Sequence, residues 1–275
     1  MKNISTRNRA LILSTLLTGI YMIFHLQLSI LEYLYQYDWG IFVLPGMISI
    51  LMFLALFWVL NFSVKGERII TINIFASLSI FIIFLFFEFL YFTQTSLEQL
   101  TTTILSIILV FVVNYIVILT VNILNYSYIK QIPLGQAGRA ASYIISLIVQ
   151  YFAFFLMFSK DMNVFLRTLL IFLVVLFFAY SLLWNLAISF TKRAFSSLSI
   201  AIVVLLFSLV INLWPISTYL ISLVLSIILY ISLGIALEIR EKVSRQVWIE
   251  YGVLLVLVFL ILIIGSEWGI NGPLI

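Results

Sequence analysis

From Phe195 to Ala236 no side chain carries a charge. A single α-helix of that length would be about twice as long as the roughly 30 Å hydrocarbon core of a bilayer is thick. Pro215, flanked by Asn212, Trp214 and Ser217, supplies a break. Proline removes a backbone donor and clashes with the preceding turn. The stretch therefore reads as two membrane-spanning helices joined by a tight hairpin. The rest of the 275-residue chain has the same character, with 65% apolar and 9% charged residues. A soluble domain carries about 45–50% apolar and about 25% charged residues, and disorder requires the opposite composition. The fold class is an all-α, polytopic membrane helix bundle, read as a single transmembrane domain over residues 1–275.

Stretches long enough to cross the bilayer fall at Ala10–Leu31, Gly40–Leu60, Ile69–Phe92, Thr102–Leu124, Ser142–Phe158, Arg167–Phe190, Phe195–Trp214, Ile216–Ala236 and Tyr251–Ser266. This predicts nine spans. Lysine and arginine concentrate in loops on the cytoplasmic side. Placing the N-terminus there puts 12 of the 14 basic residues on one side, leaving Lys160 and Arg167 on the other. The C-terminus then lies outside. Interfacial indoles agree, with Trp39, Trp214 and Trp268 at outer ends and Trp58 and Trp248 at inner ends, whereas Trp184 fits less well. The apolar stretch after Arg7 and Arg9 is longer than a signal-peptide core and reads as an uncleaved anchor that becomes the first helix.

No cysteine is present and only one histidine, which excludes disulfides, thiolate catalysis, Cys-ligated clusters and a multi-His metal centre built from this chain alone. No cofactor or metal is expected. The charge of +4 follows from the positive-inside pattern. Without a basic run interleaved with aromatics, nucleic acid is not an expected partner. The longest gap between predicted spans, Asn125–Ala141, is too short for a domain of about 50 residues. Nucleotide-binding and hydrolase motifs are absent from the sequence.

Two loops have local chemistry. Thr95 with Glu98 and Ser96 with Gln99 form overlapping capping boxes before the fourth span. In Glu238–Glu250, Glu238 with Lys242 and Glu241 with Arg245 make i,i+4 pairs beside an apolar stripe. There the eighth helix is expected to run on along the inner surface, either hugging lipid or docking a protein partner at the cytoplasmic face.

Ionisable groups inside a span cost about 2.5–3.5 kcal/mol on insertion scales. Two fall there, His25 in the first span and Glu88 in the third. They form either an imidazolium–carboxylate pair able to carry a proton, or separate structural groups, with Glu88 reaching the headgroups beside Tyr91. Six amides, Asn73, Asn114, Asn122, Gln150, Asn185 and Asn212, are expected to hold helices together by hydrogen bonds. Asn114, Gln150 and Asn185 lie deepest and are the candidates for lining a polar cavity. Pro45–Gly46 reads as a kink in the second span. The segment Ile132–Ser142 pairs Ala137 with Ala141 and Gly138 with Ser142 for close helix packing. Alternatively, Gly135, Gly138 and Arg139 at a helix N-terminus would contact an anion or a partner.

These features place the chain as an integral protein of a cell membrane, with a bacterial cytoplasmic membrane expected. The leading functional expectation is a subunit or scaffold without catalytic activity. The alternatives are a carrier for a small, weakly polar or lipid-like solute, and a lipid-modifying enzyme.

Overall fold

The computed structural model describes residues 5–26, 40–92, 99–130, 134–160, 162–184, 189–238 and 245–266. Among them every regular element is helical. In order these are α1 (Thr6–Leu26), α2 (Val43–Val59), α3 (Phe75–Phe92), α4 (Gln99–Lys130), α5 (Leu134–Ser159), α6 (Val164–Trp184), α7 (Phe190–Ile211), α8 (Thr218–Glu238) and α9 (Arg245–Ile264). A 3-10 turn, Gly40–Phe42, leads into α2, and a π-helical stretch, Ile69–Ile74, leads into α3. Helices are what a bilayer demands, because each satisfies its own backbone where no water can. Seven are long and apolar enough to cross a membrane, over Gly40–Val59, Ile69–Leu90, Ile107–Tyr128, Gly135–Ser159, Val164–Trp184, Phe190–Ile211 and Thr218–Ala236. The protein is thus a membrane-embedded helical protein. The first predicted span is occupied by α1 and the last by a shorter apolar helix, Trp248–Ile264.

Several boundaries differ from those expected. Helix α4 runs on to Lys130, and α5 starts at Leu134 rather than Ser142. Asn125 and its neighbours, read as loop, are therefore helical. No glycine or proline interrupts the run until Pro133, so polarity alone does not end it. Pro45 falls in the first turn of α2, where a missing N–H leaves no gap in the ladder. The expected kink is a helix start. Residues 245–250 belong to α9 and not to a continuation of α8. The i,i+4 pairs through Glu241 and Lys242, the capping residues 95–98, Trp39 and Trp268 lie outside the described residues.

The chain falls into two compact units, Met1–Ile145 and Ser146–Ile275. In the first, α1 packs on α2 and α4, and α3 on α2 and α4. Its core includes Leu17, Ile48, Met52, Leu56, Phe84 and Ile118, all fully buried or within 1% of it. The start of α1 meets the end of α2, where Arg9 donates to the Trp58 carbonyl at 3.0 Å and to the Asn61 side chain. Its guanidinium also lies 5.4 Å from the centre of the Trp58 ring. Helix α2 ends in a Schellman motif, with Phe62 N–H donating to Phe57 at 2.7 Å and Asn61 N–H to Trp58 at 3.2 Å. Asn61 takes the left-handed position that glycine usually fills, with φ of 53°.

In the second unit α6, α7, α8 and α9 pack in succession. The predicted hairpin is present between α7 and α8. Ile216 N–H donates to Trp214 at 2.9 Å, closing a three-residue turn centred on Pro215. The fixed φ of proline suits the centre of such a turn. Ile216 also bridges to Ser266 beyond α9. At the opposite end α8 and α9 approach closely at Gly234, where an added Cβ would lie 2.0 Å from the Tyr251 hydroxyl oxygen. Within each unit the helices thus alternate in direction.

Candidate functional site

The two ionisable residues expected inside spans fall on α1 and α3. Tyr21 and Phe84 meet edge to face, with ring centres 4.9 Å apart. Both helices start at the same end of their unit, and His25 and Glu88 each follow one turn after these rings. Each therefore lies one turn beyond this ring contact on its own helix. The His25 side chain is outside the described residues. Glu88 is fully buried, so it does not reach out to headgroups as one reading expected.

The amides divide by surroundings. Asn114 is fully buried on α4, with its Nδ2 3.5 Å from the Thr18 hydroxyl of α1. This weak bond joins two helices, while its Oδ1 has no partner among the described residues. Asn212 accepts a 2.8 Å bond from Arg167. Gln150 is fully buried on α5 and, among the described residues, neither of its amide atoms has a hydrogen-bond partner; the hydroxyl of Ser146, one turn earlier, has none among them either. Asn73, in the π-helical stretch, is likewise buried, and both its amide atoms lack a partner among the described residues. A buried amide without partners is costly, by about 1–3 kcal/mol. Asn185 lies outside the described residues.

Around Arg139 the packing is asymmetric. Gly135 and Gly138 are buried, and added Cβ atoms would lie 2.8 Å from Ser127 Oγ and from Ile123 Cγ2 of α4. Ser142 is also buried, whereas Ala137 is exposed. One of the two expected small-residue pairs, Gly138 with Ser142, therefore faces a neighbour. Arg139 itself is exposed.

Three clusters were not anticipated. Arg68 donates to Asn125 at 3.3 Å, Asn125 donates to Ser63 at 2.8 Å, and the Arg68 guanidinium sits 5.0 Å from the Tyr128 ring centre. Arg193, at the second turn of α7, is 5% exposed and lies 5.0 Å from the centre of the Tyr180 ring and 6.0 Å from that of Phe190. Such contacts let a cation enter an apolar setting.

The third is a cavity of about 460 Å³ between α7, α8 and α9. Its walls include Phe195, Ser199, Val203 and Phe207 of α7, Ile235 and Ala236 of α8, and Leu255 of α9. The hydroxyls of Ser199 and Ser232 donate to their own helices, at 2.9 Å and 2.7 Å, so the surface they leave is nearly apolar. Small side chains line it from both helices, Ser196 and Ser199 from α7 and Ser232 and Ala236 from α8. The serines at 196, 199 and 232 were visible in the sequence. Their facing across two helices was not. Its volume is within the range of about 300–1,000 Å³ usual for ligand pockets.

Residues 95–265 match the family described as protein of unknown function DUF5656. The chain belongs to this family. The matched region holds α4 through α9, and with them Gln150, the Arg167–Asn212 bond and the groove. His25, Glu88 and Arg9 precede it. No curated protein and no solved structure matches the chain.

Proposed function

We propose that this DUF5656 protein is a multi-pass protein of the cell membrane that holds a lipid-like, apolar solute in the groove between α7, α8 and α9. The observation that carries the reading is the cavity itself, nearly free of polar surface and lying between α7 and α8, which are of membrane-spanning length, and the shorter apolar α9. An apolar solute gains from contact with such walls, whereas a hydrated ion or sugar would lose its water without replacement. This puts the carrier reading ahead of a scaffold role. The nine-span topology, with the N-terminus cytoplasmic and the C-terminus outside, belongs to the same proposal. In it the groove end at Phe195 and Ala236 lies in the inner leaflet.

Native mass spectrometry of the gently extracted protein tests the reading. The wild type should retain a defined lipid-like molecule. Ala236→Phe and Ser199→Phe, which fill the groove from two different helices, should each lose it. Retention of the same molecule by both folded variants would refute the groove as its site.

A further inference from the structure

We infer that the groove measures the hydrocarbon chain of its occupant, with Phe207 as the stop that sets the longest chain accepted. This rests on the groove reading and adds the ligand's chemistry, a lipid that enters by one flexible chain. The α7 wall runs from Phe195 to Phe207, a rise of about 18 Å. The α8 wall runs the other way, from Ala236 to Ile228. A slot drawn out along two helices suits an extended chain better than a compact ring system.

Side-chain size grows along the slot. At one end its walls carry Ser196 and Ser199 on α7 and Ser232 and Ala236 on α8; deeper they carry Ile200, Val203 and Phe207 on α7 and Ile228 on α8. The larger Phe195 and Ile235 also stand at the first end, and Phe195 is 71% exposed, so that end is open. Beyond Phe207, toward the Pro215 hairpin, no described residue lines the groove. Ser208 of α7 and Val224 and Leu225 of α8 are fully buried there. The slot is therefore open at one end and blind at the other. A chain gains dispersion contact with each methylene laid along the wall. One too long must buckle or displace packed side chains, which a close-packed interior resists. Phe207 carries the largest side chain at the blind end, which makes it a specificity-determining residue. The charges at the open end are of both signs, with Lys192 on α7, Glu238 on α8 and Glu250 on α9, so they single out no headgroup.

The purified full chain, equilibrated with an equimolar ladder of lauroyl, myristoyl, palmitoyl, stearoyl and arachidoyl lysophosphatidylcholine, tests this by native mass spectrometry, since only chain length varies. The wild type should retain one length best and the next longer member about tenfold less, the size of the penalty for surplus methylene in an apolar pocket. Phe207→Ala, which deepens the slot, should move the optimum to longer chains. Val203→Phe, which brings the stop one turn nearer the open end, should move it to shorter ones. A general loss of stability would not shift the optimum in opposite directions. A wild-type ladder without an optimum, or an optimum that both variants leave in place, overturns the stop. Ala236→Phe reports separately: if it retains the ladder as the wild type does, the groove reading itself fails.

Discussion

Arg167 at the start of α6 donates to the side-chain carbonyl of Asn212, just past the end of α7, at 2.8 Å. The same guanidinium donates to the carbonyls of Met162 and Lys160, at 3.2 Å and 3.4 Å, and lies 5.0 Å from the centre of the Phe158 ring. One side chain therefore fixes the approach to α6 and the hairpin before α8. Arg167 is one of two basic residues that the positive-inside pattern leaves on the less basic side. Its structural work explains why a cation is retained there.

Arg167→Ala should destabilise the protein by about 1–2 kcal/mol, the low part of the range for a charged hydrogen bond because the site is half-exposed. Asn212→Ala should cost less, and the double variant should cost less than the sum of the two. Thermal unfolding in detergent measures all three, and strict additivity would deny the coupling.

Gly138→Ala places a Cβ 2.8 Å from Ile123 Cγ2, an atom on a stiff β-branch that cannot swing away. A loss of about 1–3 kcal/mol is expected from this overpacking. Ile123→Ala in the same chain should recover part of it, which a helix-propensity effect alone would not allow.

The loop after α2 holds two consecutive non-glycine residues in the left-handed region, Asn61 and Phe62, with φ of 53° and 54°. Asparagine tolerates this and phenylalanine does not, at a cost of about 1–2 kcal/mol. Phe62 is 66% exposed, so little packing is lost on truncation. Phe62→Gly should leave the melting temperature unchanged or raise it, whereas Asn61→Val should lower it. A fall with Phe62→Gly would show that its ring contributes more than its backbone costs.

Gln150→Met removes two polar atoms that have no partner among the described residues from a buried position at nearly constant volume. The ligand-free protein should gain about 1–2 kcal/mol. A loss of stability instead would mean that the amide is satisfied by something bound in the membrane.

Reporters fused after Arg193 and at Ile275 should fall on opposite sides of the membrane. Fluorescent and phosphatase fusions read this directly, and a shared side would dismantle the nine-span topology.

Composition and apolar run length were enough to specify a membrane-embedded all-helical protein. They also placed the Pro215 hairpin, because the bilayer penalises unpaired backbone wherever it occurs, and a charge-free run of that length must fold back. Helix ends were less legible. Asn125 and Arg139 look like loop residues by polarity, yet Asn125 lies inside α4 and Arg139 inside α5. Only the tertiary structure decided which polar groups found partners. Asn212 met Arg167 while Gln150 met no partner among the described residues, and both are amides within or beside apolar sequence. The groove had the same origin: Ser199 and Ala236 are 37 residues apart in the chain, and the space between them depends on how α7 and α8 face each other. Periodicity within one helix carries no information about the rotation of its neighbour, which is set by packing.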